Sequence, residues 1–248
     1  MSTVIAIQPG FKPASAKFEV SCATCNLREL CLPGALCIED VQRVENIVYA
    51  RRRVKRGEAL FNAGAEFNAI YAIRSGFFKT SVLDGEGREQ VTGFFMVGEL
   101  LGLDGLGSGA YHGSAIALED SEVCPIPFAN LEEIARTVPA LQHNLCQFVA
   151  REISHDHGVM LLLGSRRADE RLASFLVSLS ARYFSRGYSS TEFTLRMTRE
   201  EIGSYLGLSL ETVSRLFSRM QRDGLIVAQQ KEIELKDVAS LRERVGQW

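Results

Sequence analysis

The sequence predicts an α+β chain in three structural parts: a β-roll, a long helix after it, and a C-terminal winged helix-turn-helix. Three observations carry this expectation. Twelve of the 21 glycines lie between Gly57 and Gly113, punctuating short apolar or alternating runs. Glycine and proline then nearly vanish between Ala140 and Gly158, where a helical period begins. After Thr198 come two short helix patterns joined at a glycine, followed by a hairpin pattern.

Length and composition set the limits. The chain has 248 residues, enough for two compact units at roughly 100 to 200 residues each. A composition of 46% hydrophobic and 23% charged residues argues against disorder and low-complexity tracts. No apolar run approaches the roughly 18 residues of a membrane helix, and the first 20 residues lack the apolar core of a signal peptide. A soluble cytoplasmic protein with no membrane partner is expected. Net charge is −2, divided unevenly: residues 1–165 carry 14 basic against 19 acidic side chains (−5), and residues 166–223 carry 10 against 7 (+3). The local basic surplus hints at a polyanion partner, although a difference this small is more often a solvated surface.

Six cysteines stand at positions 22, 25, 31, 37, 124 and 146, the first four within sixteen residues. In a reduced compartment such clustering points to a metal site or a redox centre. These four sit in the N-terminal arm, residues 1–40, of which 1–21 show no sustained period.

The roll is expected over residues 41–135. Its strands are Ala59-Leu60-Phe61, Ala69 to Ile73, Phe77 to Val82 and Gln90 to Phe95, and Asp84-Gly85-Glu86-Gly87 between the last two is a hairpin turn.

The long helix is expected over 136–165 and carries two stripes. One is Leu141, Leu145, Phe148, Val159 and Leu162. The other is Cys146, Val149, Ile153, Asp156, Met160 and Leu163, whose alternating threes and fours make a heptad seam fit for a parallel homodimer. The competing reading is a single broad stripe buried within one chain. Asp156 would bring like charges together at the seam, so the dimer would stand near balance.

The C-terminal part is expected over 166–248. An amphipathic helix covers Ala168 to Phe184, and Thr198-Arg199-Glu200-Glu201 has the capping-box form that opens the next. That helix stops at Gly207, Ser209 caps a further helix to about Arg222, and Leu225 to Leu235 forms a wing. Helix, glycine turn and helix is the arrangement that puts the second helix into a major groove. Glu211, Ser214 and Arg215 fall near its start: Arg can grip guanine O6 and N7, Glu can accept from a cytosine amino group, and Ser can approach any base edge. Double-stranded DNA is the expected partner. No Ser-His-Asp order, phosphate loop or dinucleotide fingerprint supports an enzyme.

This order of parts, with Gly98-Glu99-Leu100-Leu101-Gly102 in the roll and Leu208-Ser209-Leu210-Glu211-Thr212-Val213-Ser214-Arg215 at the helix, resembles the CRP/FNR superfamily of bacterial transcription regulators over nearly the whole chain. The resemblance implies a roll of the cyclic-nucleotide-binding jelly-roll type. Cys22-x2-Cys25-x5-Cys31, then 92 residues to Cys124, is similar to the FNR branch at all four ligand positions, and Tyr71 to Gly76 and Gln90 to Phe94 match it too. Four thiolates can cage either zinc or an iron–sulfur cluster. The resemblance implies a four-iron, four-sulfur (4Fe-4S) cluster that oxygen destroys, with loss of the dimer and of DNA binding. It also implies RNA polymerase as a partner and an inverted repeat near TTGAT and ATCAA as the operator. Leu210 stands where the cyclic-AMP branch carries Arg, and Ser214 where it carries Gly, so the sites of that branch are not expected to be read. Gly113-Ser114-Ala115 lacks the phosphate-gripping Arg of that branch, and no cyclic nucleotide is expected. Leu27, Leu30 and Leu32, interleaved with the ligands, are expected to shield the cluster. The rivals are an iron–sulfur electron carrier and a CRP-like regulator using zinc or another ligand. Cys37 and Cys146 fall off the ligand pattern and are expected to be structural, Cys146 as a small buried hydrophobe.

Overall fold

The computed structural model describes residues 21–48 and 51–245, and the first twenty residues of the arm expected over 1–40 lie outside the described residues. The described chain opens with a cysteine-bearing loop that contains one 3-10 turn, Arg28–Leu30. Helix α1 (Ile38–Ile47) follows and crosses the expected arm–roll boundary at residue 40. Its inward positions, Val41, Val44 and Ile47, give too short a period to stand out in sequence.

The roll consists of two four-stranded antiparallel sheets. One has the order β1 (Arg52–Val54), β8 (Ser121–Pro127), β3 (Ala69–Ser75), β6 (Leu100–Leu101); the other has β2 (Ala59–Phe61), β7 (Ser114–Ala117), β4 (Phe77–Leu83), β5 (Glu89–Met96). Strand β3 has both faces buried, and its period of two assigns alternate residues to different cores. Ala69, Tyr71 and Ile73 point into the roll with Phe61, Phe78 and Val123. Ile70 and Ala72 point outward, against Leu32, Val44, Leu131 and Leu141. Cys124 is register partner of Ala72, so β8 presents it to that same outer layer.

Helices α2 (Phe128–Ala135) and α3 (Pro139–Ser165) cover this layer. Helix α3 has Pro at its first turn, where no backbone donor is needed. Its 27 residues make a rod about 40 Å long at 1.5 Å per residue.

Helix α4 (Ala168–Phe184) leads to β9 (Glu192–Thr194), α5 (Arg199–Leu206), α6 (Leu210–Arg222), β10 (Ile226–Gln229), β11 (Glu232–Leu235) and α7 (Val238–Val245). The wing is a three-stranded sheet, β10-β11-β9, rather than a lone hairpin. Thr198 Oγ1 accepts from Glu201 N while Glu201 Oε2 accepts from Thr198 N, which closes the capping box. Gly207 ends α5 at φ +63°, a conformation that costs glycine nothing.

The roll and the C-terminal module share one core. A bulge between Thr80 and Ser81 shifts the phase of β5, and Val91, Phe94 and Met96 turn outward onto Leu172, Phe175 and Tyr205. Phe94 meets the Tyr205 ring edge-on at 5.3 Å and the Phe175 ring at 5.9 Å.

Candidate cysteine centre and nucleic-acid interface

Cys22, Cys25 and Cys31 lie on the loop before α1, half-buried over Cys124 of β8. Three long-range attachments hold the loop. Glu45 of α1 accepts from the backbone of Cys22 at 2.7 Å and of Ala23 at 3.3 Å. Asn144 of α3 donates to Leu32 O at 3.1 Å and to Gly34 O at 2.5 Å. Arg74 of β3 donates to Cys25 Sγ at 3.2 Å.

The four thiols lie within electrostatic reach of one another. Burial pushes Cys22 up to about 12, and the neighbouring Cys124, Glu45 and Cys25 push the same way. Burial likewise raises Cys31 to about 12 and Cys124 to about 11, with Arg74 and Arg51 pulling Cys124 back. Thiolates are therefore costly here until a cationic metal core replaces their protons. Four cysteine sulfurs are the donor set of an iron–sulfur cluster or of structural zinc, so the donor chemistry suits either group. Among the described residues, no three Cys, His, Asp or Glu side chains converge tightly enough for a single metal ion.

Leu27 and Leu30 are half-buried beside the cysteines. Leu32 is fully buried in the layer beneath α1 and α3, where it packs with Val41 and Leu141. Cys37 precedes α1, is exposed, and donates its thiol hydrogen to Asp40 at 3.2 Å.

On α3 the two stripes differ in burial. Leu141 and Leu162 are buried against the chain, while in the seam Cys146, Ile153, Asp156 and Met160 are exposed and Val149 and Leu163 half-buried. Ile153 is 50% and Met160 66% exposed, so these two seam residues are largely uncovered among the described residues. Cys146 is buried only if a second molecule covers it.

Helix α6 buries Val213, Phe217 and Met220 and leaves Glu211, Ser214, Arg215, Ser218, Arg219 and Arg222 exposed. Ser209 caps it by accepting from Thr212 N. Arg215 reaches Thr212 Oγ1 at 3.3 Å and otherwise faces solvent. Arg219 belongs to this face as well, one turn beyond Arg215, a spacing that marks it in the sequence.

Two family models match: a cyclic nucleotide-binding domain over residues 51–138 and a Crp-like helix-turn-helix domain over residues 170–244. The chain is 46% identical over 223 residues to the transcriptional activator protein anr of Pseudomonas aeruginosa, covering 90% of this chain and 91% of that protein. It is 39% identical over 227 residues to the fumarate and nitrate reduction regulatory protein of Escherichia coli, covering 92% and 91%. The chain belongs to the CRP/FNR family of transcription regulators. Among solved structures, FixK2 from Bradyrhizobium japonicum is similar with a TM-score of 0.73 and 28% identity, covering 80% of this chain and 98% of that one. This CRP/FNR chain is thus a DNA-binding transcription regulator of FNR type, and its relatives are regulators rather than enzymes.

Within the family frame, the roll's Gly98-Glu99 turn has an unexpected task. Glu99 Oε1 and Oε2 accept from Arg182 at 3.1 and 2.5 Å, and Oε1 accepts from Arg186 at 2.6 Å. Arg182 also donates to Phe94 O and Arg186 to Val97 O, each at 2.6 Å. Lys79 adds a second polar bridge to the DNA-binding module, pairing with Glu89 at 3.0 Å and Glu201 at 3.1 Å. Ser114, the first residue of β7, accepts from Ala63 N at 2.9 Å. Lys79–Glu89 aside, these contacts, like those of Asn144 and Arg74, join residues about 50 to 120 positions apart, and no local pattern announces them.

Proposed function

We propose that this regulator is oxygen-responsive: Cys22, Cys25, Cys31 and Cys124 hold a 4Fe-4S cluster, and the protein dimerises and binds operator DNA while that cluster is intact. The observation that carries the reading is the set of four half-buried thiols within electrostatic reach of one another, three on a loop tied to α3 by Asn144 and the fourth on β8. The resemblance to the fumarate and nitrate reduction regulatory protein favours iron–sulfur over zinc. Bound there, the cluster would supply an oxygen-labile crosslink between loop and roll.

The chain's own residues do the rest. With the loop fixed, Asn144 holds the first turns of α3 in register, and Cys146, Val149, Ile153, Met160 and Leu163 are available to a second copy. Asp156 opposes closure, because like charges meet across a parallel seam. A small bias from the loop then suffices to shift the equilibrium. The closed dimer sets two α6 helices about one DNA turn apart, roughly 34 Å, for an inverted repeat near TTGAT and ATCAA. Glu211, Ser214 and Arg215 read base edges there, and RNA polymerase is recruited in the cytoplasm. Leu27 and Leu30 limit access of oxygen to the sulfurs, whereas Leu32 serves the core beneath them. With Gly113-Ser114-Ala115 offering no cation, no cyclic nucleotide takes part.

An anaerobic absorption spectrum with iron and sulfide analysis, repeated after air alongside operator binding, tests the reading. Four irons and four sulfides per chain, lost in air together with operator binding, are expected. A stoichiometric zinc content, or operator binding indifferent to air, would sink it.

A further inference from the structure

We propose that Arg74 is a positioning residue of the cysteine centre: it steers the Cys25 sulfur with a charge-assisted hydrogen bond and raises the centre's one-electron reduction potential. The inference rests on the cluster reading above.

The local backbone explains why Arg74 reaches the cysteines. Strand β3 pairs Ala72 with Cys124 and Ile73 with Val123, then jumps to Ser75 against Glu122. Arg74 is the extra residue of that bulge. Two residues beyond Ala72, the register partner of Cys124, Arg74 lies on the outer face of β3, and its guanidinium reaches the cysteine loop there. Its NH1 donates to Cys25 Sγ at 3.2 Å, and its Nε lies 3.3 Å from Glu122 Oε2. Arg51 approaches the same Glu122 oxygen, at 3.8 Å. The fork geometry of the guanidinium lets one end be anchored while the other addresses sulfur.

A fixed cation beside a thiolate ligand stabilises the more negative of two redox states, and hydrogen bonds to the sulfurs together with local charge set such potentials. Removing the charge must therefore lower the potential at which the centre takes up one electron from an electrode. A residue that only packs would alter how much cluster is retained and leave the potential of the retained cluster unchanged.

Full-length parent, Arg74→Lys, Arg74→Gln and Arg74→Met are reconstituted anaerobically with ferrous iron and sulfide, analysed for both, and titrated electrochemically. The neutral variants should show a one-electron equilibrium shifted about tenfold towards the oxidised form, ~59 mV lower, with Arg74→Lys nearer the parent. Full iron content with the parent's potential in both neutral variants overturns the proposal. Should both assemble no centre while their circular dichroism stays that of the parent, restoration of iron in Arg74→Lys supports the positioning role, and its failure there overturns it. A parent that takes up no iron fails the cluster reading itself, a result read before any variant is compared.

Discussion

Leu30 lies against Gly98, so closely that a Cβ built on the glycine would meet the Leu30 Cβ at 2.8 Å. The cysteine loop thereby rests on the roll's turn, at the residue before the carboxylate that grips the DNA-binding module. Gly98 also has φ +85°, a second reason for glycine there.

Gly98→Ala should cost about 1 to 3 kcal/mol through backbone strain and overpacking. It should also lift Leu30 and the adjoining Cys31 off the roll. Denaturant unfolding measures the first effect. Cluster retention under a mild iron chelator measures the second, with faster loss than the parent expected; parent-like loss would disconnect the turn from the cysteine loop.

Asn144→Leu removes the two donors that tie the loop to α3 and leaves Leu32 O and Gly34 O short of partners, a cost of about 1 to 3 kcal/mol. Anaerobic protein of this variant should keep its iron yet dimerise several-fold more weakly in sedimentation. Dimerisation equal to the parent at equal iron content would show that loop and helix are not coupled through this amide.

Asp156→Ala removes the like charges from the proposed seam. The variant should dimerise and hold operator DNA in air, without a cluster. An aerobic monomer indistinguishable from the parent would mean that Asp156 points to solvent in the dimer.

Arg215→Ala should cost roughly 1 to 3 kcal/mol of operator affinity and relax preference at one guanine. Arg219→Ala should instead weaken all sequences alike and reduce the salt slope by about 1. Competition binding across single-base operator variants at two salt concentrations separates the two roles.

Glu152 of α3 is pushed up to about 7, first by burial, then by Asp156 and Glu99, with Arg182 pulling back. Its folded pKa lies above the unfolded value near 4.5, so the native state gains a proton first and gains stability as pH falls from 8 through 7. His155 nearby is shifted down by burial and acts in the opposite sense, destabilising the native state once pH falls below its unfolded value of 6.5. Urea unfolding of parent and Glu152→Gln between pH 8 and 6.5 isolates the glutamate. The parent should gain stability relative to the variant as pH falls, and parallel curves would contradict the shift.

Legibility of the fold followed the range of the interactions that make it. Local signals such as the Thr198–Glu201 capping box, the Gly207 stop and the period of Ala168–Phe184 appear in the structure at the expected residues. Strand β9 and helices α1, α2 and α7 were not legible, because three to ten residues give too few repeats of any period and their pairing partners are distant. For the centre, the cysteine spacing stood out while its supports did not. Arg74 reaches a cysteine 49 positions away from a register slip in a strand pair, and Asn144 holds a carbonyl 112 residues away. Such roles are written in three dimensions only.

The triad of Glu99 with Arg182 and Arg186 has a consequence for how sequences of this kind can diverge. One carboxylate serves two guanidiniums more than eighty positions away, and loss of any member strands a charge in a half-buried cleft. Substitutions there must come as a set, so the three positions should covary across descendants of this chain. For the same reason, a chimera that joins this roll to a foreign DNA-binding module would leave Glu99 without its partners unless the donor brings both arginines with it.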